Sequence, residues 1–156
     1  MSFRIQGLPA EPFRPLYGLS DAALHERGVT RHIADRAVGF PDRIELRDAS
    51  PGESLLLLNY LHQPAATPYR ASHAIFVREG ALRTYDALDE VPEVMQRRMI
   101  SLRAFDAGDL MTGAELATGE AIAPAIRKLL ADPAVAYLQA HYALRGCYAA
   151  RVMRAA

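Results

Sequence analysis

Residues 54–78 read SLLLLNYLHQPAATPYRASHAIFVR, and the interpretation of this stretch decides the fold. Residues 54–61 form an apolar run built on four consecutive leucines. The run is preceded by the turn Ser50-Pro51-Gly52 and followed by the break between Pro64 and Pro68. A short apolar run closed by turn residues suits a central strand covered on both faces, with a short buried helix as the alternative. Its length and the Pro break favour the strand. Residues 73–78, HAIFVR, are rich in strand formers and are closed by Gly80. Two neighbouring strands joined by the ten-residue connection 63–72 are therefore expected. That connection is longer than a tight hairpin requires.

Working outward, residues 3–8 form a short first strand before a connection punctuated by Pro9, Pro12 and Pro15. Ser20 can cap a helix over 21–27, with Asp21 at its positive end and Gly28 as its stop. Strands are predicted over 29–35 and 43–48; in the latter, Ile44 and Leu46 alternate with Glu45 and Arg47. Pro92 can begin a short helix through 98, and 100–106 reads as a strand. Residues 109–118 are ambiguous. Residues 120–131 give the clearest helix, with Ile122, Ile126, Leu129 and Leu130 on one stripe and Pro124 either in the first turn or kinking the helix. Two closing strands, 135–141 and 148–153, flank Arg145-Gly146. About eight short strands and three helices in irregular order predict the α+β class, with a mostly antiparallel or mixed sheet.

The chain has 156 residues, which suggests one domain over 1–156. Such a chain can bury roughly 68–70% of its unfolded surface without metals or disulfides. Eighteen Lys plus Arg balance eighteen Asp plus Glu. Nothing global draws the chain to nucleic acid or to an anionic membrane, because that attraction needs excess positive charge. Cys147 is the single cysteine, which rules out an intrachain disulfide and fits a reducing cytoplasm. No signal peptide is read at the N-terminus, and the longest apolar run is far too short to span a bilayer.

The segments SPGESLLLLNY (50–60), HQPAATPYRASHAIFVREGA (62–81), SLRAFDA (101–107) and LLADPAVAYLQAHYALRGCYAAR (129–151) resemble, in order, the bacterial family called domain of unknown function 1203. The resemblance implies a small cytoplasmic bacterial protein, mostly one domain, and brings no catalytic set with it. The family pattern often places a cysteine near GFPDRIEL (39–46), and this chain has none there. A metal or redox role built on that cysteine does not carry over.

Several residues could carry chemistry. Strand alternation places His62 on the face of Leu56, Leu58 and Tyr60, and His73 on the face of Ile75 and Val77. Both lie at strand ends, where a polar group can project from a rigid scaffold. Arg70 could hold an anion with its planar fork, with Tyr69 beside it. Ser72 could be a nucleophile if a histidine reached it, or merely cap a turn. His141 and Cys147 flank a tight turn and could form a thiolate–imidazole pair; a buried apolar role for the thiol is the alternative. Arg103, with Arg70 and Arg151, either converges on an anion or stands as a separate surface cation. Three histidines can make a metal site, but no HxH, HExxH or CxxC spacing occurs, and no metal is assigned. Phosphate-loop and GxSxG motifs are absent, and no cofactor is identified.

The reading that follows is a small-molecule or anion-binding domain, or an enzyme of unspecified reaction, with a pocket at the strand ends. His62, His73, His141 and Cys147 are the catalytic candidates. Tyr69, Arg70, Ser72 and Arg103 are the ligand-binding candidates, and a small anion is the expected partner. The alternative is a non-catalytic, homodimeric interaction or scaffold protein.

Overall fold

The leucine-rich run is a strand, and its neighbours define a small sheet. A computed structural model describes residues 1–156. The elements in chain order are β1 (Phe3–Gln6), α1 (Asp21–Glu26), β2 (Thr30–Ile33), β3 (Ser54–Gln63), β4 (Ala71–Arg78), β5 (Asp86–Leu88), α2 (Glu93–Gln96), β6 (Met99–Asp106), β7 (Met111–Thr118), α3 (Ile122–Leu130), β8 (Val135–Tyr142) and β9 (Cys147–Arg154). Single 3-10 turns cover Arg14–Leu16 and Gly119–Ala121.

Every strand pairing is antiparallel, as the α+β assignment anticipates. Six strands form one sheet in the order β5-β1-β9-β8-β6-β7, and three form a second in the order β2-β3-β4. The larger sheet buries one face under α2 and α3. Ile122, Ala125, Ile126 and Leu130 of α3 pack there on Leu102, Leu138 and Val152. The helical stripe of the sequence is therefore core, and Pro124 sits in the first turn, where its missing N–H costs nothing. Ser20 caps α1 by accepting from the Ala23 N–H at 3.1 Å.

The leucine run is covered on both sides. Leu56 and Leu58 pack with Ile75 and Val77 against Phe13, Leu24, Ile44 and Tyr148. Leu55 packs with Ala34 and Ala49 on the other side.

Two expectations need correction. Residues 43–48 are not a strand. They belong to the long connection between β2 and β3, and they run between the two sheets. The Arg43 N–H donates to Phe76 O (3.2 Å), while Arg43 O accepts from the Leu8 N–H (2.7 Å) and Ile44 O from the Tyr85 N–H (2.8 Å). Buried backbone must be paired, and here β4 and the segments flanking β1 and β5 supply the partners in place of a ladder. Leu46 has φ 49, which no regular strand allows. Gly7 makes this passage possible, because a Cβ there would lie 2.2 Å from Ile44 O. The second correction is the added three-residue strand β5, which sequence periodicity did not reveal; residues 109–118, left open by the sequence, contain β7.

Candidate functional site

The candidate residues fall into two adjoining groups that meet at Arg145-Gly146. The first begins with a β-bulge in β3. Leu61 pairs with Ser72 and Gln63 with Ala71, so His62 is the extra residue and turns towards the larger sheet. There it meets His141 of β8, with ring centroids 4.9 Å apart, and stacks on Tyr148 of β9 at 5.7 Å. Gln139 joins the two rings. Its Oε1 lies 2.9 Å from His62 Nδ1 and 3.1 Å from His141 Nε2, and its amide nitrogen donates to His62 O at 2.8 Å. His141 Nδ1 faces Gly146 O at 3.0 Å.

A neutral His141 carries one ring proton and can serve only one of these two acceptors at a time. Charging the ring would serve both. Burial opposes that, reinforced by the Arg103 cation and by His62 and His73, and holds its pKa down at about 3. Burial also lowers the pKa of His62, and Arg103 and His73 add to it. His62 is half-exposed and borders a cavity of about 260 Å³ with Gln63, Asp109, Tyr137, Gln139 and Arg151. Gln63 donates to the Tyr137 hydroxyl (2.8 Å), which donates to Asp109 Oδ1 (2.6 Å), and Arg151 lies 3.9 Å over the Tyr137 ring.

His73 belongs to the second group. Its Nδ1 is 2.9 Å from Ala74 O and its Nε2 3.1 Å from Arg145 O. It borders a larger cleft of about 970 Å³ where β4 approaches the β8–β9 hairpin. Five arginines line this cleft (Arg36, Arg43, Arg97, Arg98 and Arg145), and no carboxylate does. Asp48, just behind, forms a two-pronged pair with Arg98 at 2.6 and 3.1 Å.

Arg43 has no acidic partner. It is 1% exposed, and its donors reach only Tyr148 O (2.7 Å) and Pro41 O (2.5 Å). The Tyr142 ring has the Arg43 and Arg98 guanidinium carbons 4.9 and 5.2 Å from its centre. The Tyr142 hydroxyl is buried and has no hydrogen-bond partner. Burial pushes its pKa up to about 12 against the pull of the two arginines, so it remains a neutral O–H donor without an acceptor.

The remaining candidates lie elsewhere. Arg70 is exposed, donates to Pro64 O within its own loop and borders neither cavity, so it stands apart from both groups. Ser72 is exposed and makes no side-chain hydrogen bond. It follows the opposite strand face from His73, so the conditional Ser–His pairing fails. Tyr69 packs edge-on against Phe105 at 6.2 Å. Arg103 is half-buried beside the histidines, with its Nε 3.3 Å from Ser101 Oγ. Cys147 does not meet His141. The thiol lies in the larger sheet's helix-covered core and the imidazole on the opposite face, which removes the thiolate–imidazole pair. Cys147 does border the arginine cleft. No group of three or more His, Cys, Asp and Glu side chains is arranged to hold a metal ion.

Arg43 and Tyr142, the central members of the cleft, were not among the sequence candidates. The available signal was an arginine inside the hydrophobic alternation of 43–48, which gave no hint of which carbonyls would surround it.

No helix is long and apolar enough to cross a membrane. No curated protein and no solved structure matches the chain. A family model described as Protein of unknown function (DUF1203) matches residues 39–154, a range that holds both histidine groups and every arginine of the cleft except Arg36. On that match, and on the four segments that resemble the same family, the chain belongs to the DUF1203 family.

Proposed function

We propose that the chain binds a small anionic molecule in the arginine-lined cleft between β4 and the β8–β9 hairpin. One observation carries the reading: a buried guanidinium without a carboxylate, Arg43, lies 4.9 Å from the ring centre of Tyr142, whose buried hydroxyl has no acceptor. Removing a cation from water is costly unless it is paired, and an orphaned O–H forfeits a hydrogen bond. One anionic group with oxygen acceptors would relieve both. The exposed cations Arg36 and Arg145 at the same cleft would raise the local anion concentration, although the chain as a whole is neutral. The cleft volume lies within the range of ligand pockets, about 300–1,000 Å³.

Cys147, the only cysteine, borders this cleft and offers a direct readout. Its reaction with a neutral disulfide reagent should slow several-fold on addition of inorganic phosphate or acetate at matched ionic strength. The protection should be lost in Arg43→Gln. An unchanged rate with both anions would overturn the reading.

A further inference from the structure

Resting on that reading, we infer that the cleft takes an amphiphilic anion: a carboxylate-bearing molecule with an extended apolar body, rather than a bare inorganic ion. The basic groups of the lining come from connections and a helix end, and its large apolar groups mainly from strands, with Leu144 beside Arg145 in the β8–β9 turn as the exception. The basic groups come from the β2–β3 connection (Arg36, Arg43), the end of α2 (Arg97, Arg98) and the β8–β9 turn (Arg145). The apolar groups come from β3 and β4 (Leu57, Ile75, Phe76) and from β6 and β7 (Met99, Leu116). Ten of the eighteen lining residues are hydrophobic, which an ion-only site has no use for.

Three of the large apolar side chains face solvent: Met99 is 51% exposed, Leu116 62% and Leu144 95%. A single exposed leucine needs no explanation, but three bordering one basic cleft form an apolar margin around a charged interior. A ligand with a carboxylate near Arg43 and Tyr142 and a hydrocarbon portion along Leu57, Phe76 and Leu116 would cover it. The cleft's volume of about 970 Å³ leaves room for such a body beyond the head group.

The test is a series of acetate, hexanoate and decanoate, each below its micelle concentration, with decanol as the uncharged member. Protection of Cys147 and calorimetric titration are the readouts. The midpoint should fall along the series by up to about fourfold per added methylene, the limit for full burial of each group. Leu116→Gln should cut the advantage of decanoate over acetate at least threefold. Acetate and decanoate binding equally would overturn the amphiphile inference and leave the anion site standing. Decanol binding as well as decanoate would overturn the anion reading itself, and absence of binding by every member would overturn both.

Discussion

The two histidine-bearing regions use similar residues to opposite effect. Around His62 and His141, polar groups face one another: Gln139 bridges both rings and the His62 carbonyl, and Gly146 takes the far nitrogen of His141. Around His73, the cleft contains a buried arginine without an acid and a buried hydroxyl without an acceptor. A polar network whose members face one another holds a fold in one arrangement, even where one ring proton is shared between two acceptors, whereas unmet groups beside a cavity are where a ligand gains most. The first region is accordingly read as structure and the second as a site.

The strongest challenge to that contrast is acid. The pKa of His141 is held at about 3, below the ordinary value of about 6.5, and that of His62 is also lowered. The unfolded chain therefore binds protons that the folded chain refuses. Stability from these rings is complete above about pH 6.5 and is lost as the pH falls towards 3, by on the order of 4 kcal/mol for His141. Glu53 and Glu79, each lowered to about 2 by arginine partners, lose stability over a more acidic window. Urea titrations from pH 7 to 3 should show a shallower slope in His141→Gln than in the native chain; identical slopes would remove the structural assignment.

Gln139→Leu strips the bridge and leaves His62 Nδ1 and the His62 carbonyl without partners and His141 with Gly146 O alone. The expected loss is about 2–3 kcal/mol in urea denaturation at pH 7. A loss below about 1 kcal/mol would mean that the network is not structural.

The cleft should respond the other way. Arg43→Gln should lower anion affinity at least tenfold while costing about 1–2 kcal/mol of stability, because a neutral amide retains one carbonyl contact but no charge. Tyr142→Phe removes only an orphaned hydroxyl. It should leave stability within about 0.5 kcal/mol, or raise it, and weaken anion binding several-fold. If it destabilised the protein markedly without affecting binding, the distinction between the regions would collapse. Ser72→Ala should do least: within about 0.5 kcal/mol in stability, with unchanged anion binding.

Much of this molecule was determined by its sequence alone. The leucine run and HAIFVR are strands, Ser20 caps a helix, 120–131 contains one, and the α+β class follows, because alternation, helical spacing and caps are local properties of neighbouring residues. The meeting of His62 and His141 was foreshadowed only as two strand ends. It was the bulge at His62 and the β8 register that brought the rings together. The separation of Cys147 from His141 depended on strand faces that a register shift can reverse. Tertiary structure alone decided the cleft. Whether 43–48 forms a ladder or passes between two sheets is settled by Leu8, Phe76, Tyr85 and Tyr148, far away along the chain. What makes Arg43 a candidate ligand contact is the lack of a carboxylate within reach, and the distances between non-neighbouring groups exist only once the sheets have packed.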